Sequence, residues 1–167
     1  MEQEEYILES ERTCAQLPPT EHQIHMMLGV TGEFFKEMYV AIGSEDNEKA
    51  ADEIGDVLWY LAGLARSFGM SSFIAKDNES DVFIAIGSIA EALKKKFVYG
   101  KDYDLEEMQE SVFKIYETLE EACESADLDI KLVMQKNIEK LRIRFPEKFE
   151  KDLAINKDDS AEKKVFQ

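Results

Sequence analysis

The chain has 167 residues, with 36 acidic and 20 basic side chains and a net charge of −16. That balance argues against a protein that coats DNA or RNA, whose affinity comes from lysine and arginine neutralising phosphates. A hydrophobic fraction of 44% is enough for one domain, or two small units sharing a core.

Every segment reads as helix, because proline falls only at joints and no stretch alternates in the manner of a strand. A first helix is expected over residues 3–16, stopping at Pro18-Pro19. Thr20-Glu21-His22-Gln23 reads as a capping box opening a second helix that runs to Ile42. Residues 43–47 read as a turn, and a third helix ends at Phe68-Gly69. Residues 70–80 read as a loop, 81–98 as a fourth helix and 99–102 as a turn. Asp104 and Glu107 can cap a fifth helix that runs to Ser125. Asp127 is expected to cap a sixth, ending before Pro146, and the charge-mixed residues 151–167 read as a polar, mobile tail. The expected fold class is therefore all-α, a bundle of about six helices.

The chemistry concentrates in two places. Glu53 and Asp56 stand one turn apart on one helical face, at the mouth of the apolar run Val57 to Ala65. Paired carboxylates there are costly unless a cation or donors satisfy them, and Mg²⁺ suits such oxygen ligands. Some twenty residues upstream, Glu33 and Glu37 stand four apart on the second helix, and an antiparallel hairpin would present them to the first pair. The first seventy residues hold fourteen acids and four basic groups, so this end is the more negative half.

These segments, LGVTGEFFKEM and KAADEIGDVLWYLAGLA, resemble the MazG-like all-α nucleoside triphosphate pyrophosphohydrolases, whose motif is ExxE, a spacer, then ExxD. VMQKNIEKLRIRFPEKF, Val133 to Phe149, resembles the closing helix of phage-type members, and the likeness spans about residues 4–150. It implies a helical domain over 1–150, with a metal-binding hairpin at 20–69, a second hairpin at 81–125 and a closing helix at 127–146. It further implies Mg²⁺, or Mn²⁺, held by Glu33, Glu37, Glu53 and Asp56, and cleavage of a nucleoside triphosphate to monophosphate and pyrophosphate. Glu53 and Glu33 are the expected catalytic carboxylates; Lys36, Tyr60, Asn137, Lys140 and Arg144 are the expected substrate contacts.

One departure stands out. The family's second glutamate falls at position 36, where this chain has Lys36, and on an α-helix Glu37 would lie about 100° further round. Two other readings follow from it: a protein that binds nucleotides without turning them over, or a helical interaction protein that keeps the motif as a relic.

A weak internal repeat lays the segment from Leu28 beside that from Ile86, matching Gly29 and Glu33 to Gly87 and Glu91, and Tyr60 to Tyr116. Glu53 and Asp56 then fall on Gln109 and Val112, so the second hairpin reads as a structural pseudo-partner. A compact pseudo-dimeric monomer or a homo-oligomer follows. His22 and His25, without a third metal-binding partner, read as packing or exposed residues, and Trp59 as core. Cys14 and Cys123 read as free thiols. The acidic N-terminus has no apolar signal region and the longest apolar run is about nine residues, so the expectation is a cytoplasmic protein without a membrane partner.

Overall fold

The computed structural model describes residues 1–44, 46–74 and 81–166. The expected turn at Glu45 and the loop at residues 75–80 lie outside the described residues. Within them the chain is all-helical, without a strand. Its elements are α1 (Gln3–Glu11), α2 (Pro19–Gly32), a π-helical stretch (Glu33–Met38), α3 (Tyr39–Gly43), α4 (Asn47–Ser67), α5 (Val82–Tyr99), α6 (Leu105–Ser125), α7 (Ile130–Arg144), α8 (Lys151–Ile155) and α9 (Asp159–Lys163).

The joints follow local chemistry. Asp46, Asp81, Asp104 and Asp129 each accept a hydrogen bond from a backbone N–H in the first turn of the helix they precede. Each such cap contributes about 1 kcal/mol. Helix α4 ends where Gly69 takes φ +72 and Met70 N–H donates back to the Ala65 carbonyl at 2.9 Å. This is the glycine-based stop in which a left-handed residue lets the chain double back onto the last turn. Asp127, expected as the cap of the sixth helix, has φ 55 and closes α6 in the same way, with Leu128 N–H on the Cys123 carbonyl. The cap of α7 is Asp129. The expected box at Thr20 is also replaced: α2 starts one residue earlier, with Pro19 in its first turn and no side-chain cap bond. Helix α1 stops at Glu11, short of the expected Gln16.

Helix α4 is the axis of the bundle, in contact with α1, α2, the π stretch, α3, α6 and α7. Its apolar run explains this. Val57, Leu58, Leu61, Ala62, Leu64 and Ala65 are fully buried, and each large aliphatic side chain among them contributes about 1.5–3 kcal/mol on burial. Helix α2 runs antiparallel to α4, as the close approaches show. A Cβ on Gly63 would meet Met26 Sδ at 2.5 Å, and one on Gly29 would meet the Tyr60 ring at 2.1 to 2.4 Å. Residue numbers rise along one helix as they fall along the other, so the next turn brings Glu33 opposite Asp56. Helices α5 and α6 form a second hairpin, with α5 against α2 and α6 against α4.

The positions matched to the acidic motif serve structure in that second hairpin. Val112 is fully buried, Gln109 donates to the Phe68 carbonyl at 2.8 Å, and Glu91 pairs with Lys94 and Lys95 on the surface. Residues 151–166, expected to be a polar tail, mobile or partly docked, form α8 and α9; α9 packs on α7, with Glu162 and Phe166 buried.

Gly29 lets the Tyr60 ring lie flat on α2, so Gly29→Ala must move an aromatic ring. We expect the substitution to cost about 1–3 kcal/mol in urea denaturation; an unchanged midpoint would mean that the two helices are not held in this register.

Candidate active site

From Pro19 to Gly43 the chain is one continuous helical rod, but its middle is π-helical. Bonds from i to i+5 take up about one residue more per turn than an α-helix. Across that stretch, Glu37 stands relative to Glu33 about where a residue three positions on would stand in an α-helix. The winding between Glu33 and Glu37 therefore differs from that of an α-helix, and the carboxyl of Glu53 on α4 is raised in part by the charges of both Glu33 and Glu37.

Glu33 and Glu53 lie near enough to other carboxylates for the charges to act on them. Burial, then the charges of Asp56, Asp52, Glu33 and Glu37, push Glu53 up from 4.5 to about 7. Glu33 is raised by burial and by the charges of Asp56 and Glu37. Glu37 goes the other way: its carboxyl is lowered by Lys36, which it meets at 2.6 Å. Lys36 is thereby occupied with its neighbour on the same helix.

Helix α7 supplies the compensating cation. Lys140 is only 2% exposed, and its ammonium meets both Asp52 and Asp56, the former at 2.6 Å. Burial by itself would lower the pKa of Lys140, but Asp56 and Asp52 outweigh it and keep the amine charged. Asn137, fully buried, donates to Asp56 Oδ1 at 3.2 Å and accepts from the Tyr6 hydroxyl at 2.9 Å. Gly55 permits this approach, because a Cβ there would come within 3.0 Å of Asn137. Asn137 and Lys140, expected as substrate contacts, are thus turned to Asp56. Asp52 escaped the sequence reading, although its spacing from Asp56, four residues along one helix, was the available signal.

Beside the acids opens a cleft of about 420 Å³. Glu33 and Asp56 line one part, Arg144 and Lys157 another, and Trp59, Tyr60, Phe145 and Phe149 form aromatic walls. That volume and mixture suit a small ligand with an aromatic body and an anionic group. Trp59, expected in the core, is half-buried and donates from Nε1 to Thr13 Oγ1 at 2.8 Å. His25 also lines the cleft, edge-on to the Tyr60 ring at 5.8 Å. Among the described residues its Nδ1 is the one buried side-chain nitrogen or oxygen without a hydrogen-bond partner. From its own segment His25 reads only as a packing or exposed residue. A larger cleft of about 500 Å³ lies between α5 and α6, lined by Glu91, Lys95 and Tyr103, away from the acidic cluster.

The donor set is all oxygen and strongly negative, as a hard divalent cation requires. Among the described residues, however, no three His, Cys, Asp or Glu side chains converge closely enough to hold a metal. Asp56 is turned to Lys140 and Asn137, and Glu37 to Lys36. No family model, no curated protein and no solved structure matches this chain.

Two outcomes follow. Removing Lys140 leaves Asp52 and Asp56 facing each other. Because both aspartates are partly exposed, we expect Lys140→Met to cost roughly 2–4 kcal/mol in chemical denaturation. A neutral result would mean that the buried ammonium does not offset their repulsion.

The second concerns pH. Glu53 titrates near 7 when folded against 4.5 for the ordinary side chain. The folded state therefore holds more protons across that window, and stability falls as pH rises through it. In metal-free buffer Tm should drop between pH 4.5 and about 7, and Glu53→Gln should flatten the slope. The same slope in the variant would assign the proton to another group.

Proposed function

We propose that this protein is a Mg²⁺-dependent nucleoside triphosphate pyrophosphohydrolase. The observation that carries the reading is the juxtaposition of an under-compensated carboxylate cluster with a cleft bearing aromatic walls and Arg144. A nucleoside triphosphate has the matching parts: a base to stack, an anionic chain to meet a guanidinium, and phosphate oxygens that share a divalent ion with carboxylates. The likeness of the Glu33 to Glu37 and Glu53 to Asp56 segments to the MazG-like motif supports the same reading.

In this proposal Glu33, Glu53 and Asp56 supply oxygen ligands, with Glu37 brought into reach by the π-helical turn. Mg²⁺, when bound, would offset charge on the triphosphate and acidify a coordinated water. The protein's own contributions are separable. Glu53, titrating near neutrality, is suited to hold or take the proton of an attacking water. Asn137 and Lys140 fix the orientation of Asp56 from behind. Trp59 and Tyr60 offer faces to a base, and Arg144 offers N–H donors to phosphate.

One observation favours a second reading, a nucleotide-binding protein that turns its ligand over weakly. Lys140 and Lys36 each hold a carboxylate that a metal would need.

Pyrophosphate release from a panel of ribo- and deoxynucleoside triphosphates, with and without Mg²⁺, tests both. Mg²⁺-dependent release of one pyrophosphate per monophosphate is expected, with Asp56→Asn and Glu53→Gln each losing about 10²-fold or more in kcat and remaining folded. Nucleotide binding without release would select the second reading, and neither binding nor release would overturn both.

A further inference from the structure

The closing helix does not end the site. After Arg144 the chain turns back along the cleft, and residues 145–149 are fixed to the end of α1. Arg12 Nη1 donates to the Phe145 carbonyl at 2.6 Å and the Glu147 carbonyl at 3.0 Å, and Phe149 N–H donates to the Arg12 carbonyl at 3.3 Å. Phe149, Ala154 and Lys157 then form one wall of the cleft. Helix α9 folds onto α7, and it and the residues that follow deliver two buried side chains. Phe166, 6% exposed, lies beside the ammonium groups of Lys136 and Lys140, each 5.8 Å from its ring centre. It thereby helps keep water from the amine that neutralises Asp52 and Asp56.

The second is Glu162, 4% exposed, which grips Arg144 in a two-point pair. Arg144 Nε donates to Oε1 at 2.8 Å and Nη2 donates to Oε2. A guanidinium has five N–H groups in a rigid planar fork. This grip uses the Nε–Nη2 edge and leaves the Nη1 end uncommitted to Glu162, on a side chain that lines the cleft. An arginine so held has little rotamer freedom left to lose when it meets an anion. A buried carboxylate also keeps the guanidinium charged at every working pH, consistent with the upward direction of Arg144, for which the Glu162 hydrogen bond is the leading cause.

We infer that the segment from Glu147 to Phe166 is a fixed part of the binding site, and that Glu162 is a positioning residue that aims Arg144 at the phosphate chain of the substrate. The inference rests on the nucleotide reading above and adds to it a strap, outside the span of the acidic motifs, that sets phosphate affinity. Glu162 itself does not touch the ligand.

The test uses the full-length chain and the four deoxynucleoside triphosphates with an α,β-imido bridge, which resist cleavage, in Mg²⁺. Kd and Tm are measured for the wild type, Glu162→Gln, Arg144→Gln and the double variant. Each single substitution should weaken binding roughly tenfold, by the cost of misplacing one binding group. The loss should be alike for all four bases, because the contact is to phosphate. The double variant should be no weaker than Arg144→Gln, since Glu162 acts only through Arg144. Should Glu162→Gln not fold, Glu162→Asp, which keeps the charge but draws it back by one methylene, carries the same expectation.

A lowered Tm with an unchanged Kd in Glu162→Gln would overturn the positioning role and leave a purely structural strap. Tighter binding would overturn it too, by making Glu162 a competitor for Arg144. A wild type that binds none of the four would overturn the nucleotide reading and this inference with it, a result distinguishable from failure of the variants alone.

Discussion

The structure depends on how it tolerates carboxylates packed at the end of an apolar core. Asp52, Glu53 and Asp56 lie within two turns of α4, and Glu33 faces them from the antiparallel rod. Left alone they would repel one another in a medium less screening than water. One buried ammonium, Lys140, reaches across from α7 to two of them. The arrangement around it follows: Gly55 is small so that α7 can approach, Asn137 sits one turn from Lys140, and Tyr6 secures Asn137 from α1. Compensation is incomplete. Burial, then the charges of Asp56, Asp52, Glu33 and Glu37, push the Glu53 carboxyl up to about 7.

That incompleteness is where stability and the proposed activity pull apart. A protein selected only for stability would replace Glu53 with a neutral side chain, since burying unpaired charge costs free energy and gains no packing. Residues kept in such positions are candidates for chemistry, because proton transfer near neutrality needs a group whose charged form is neither too stable nor too costly. The reading remains tied to the cleft beside it. An acid cluster by itself could be a solvated surface; one next to aromatic walls and an arginine has something to act on.

The π-helical turn and the C-terminal strap solve placement problems by different means. In the rod, wider backbone winding shifts Glu37 relative to Glu33 from where an α-helix would place it. In the strap, a side-chain pair fixes an arginine whose own helix would leave it several rotamers. Both act on the position of a charge.

The sequence by itself determined the helical fold, most helix ends and the two acidic pairs. Those properties are local: periodicity of apolar residues, aspartate caps and glycine stops act within one or two turns. The antiparallel register of Glu33 with Asp56 was also legible, because a short connection allows little else. The π turn was not, since the winding depends on what the rod packs against, and Glu37 appeared displaced for that reason. Nor were the duties of Asp52, His25 and Glu162 legible. Each is defined by a partner 18 to 88 residues away in the chain, or by a cleft that exists only once α2, α4, α7 and the strap are assembled. Tertiary structure decided these because charge compensation and cavity walls are properties of neighbours in space. A residue's own segment fixes which way it points, and the rest of the fold fixes what it meets there.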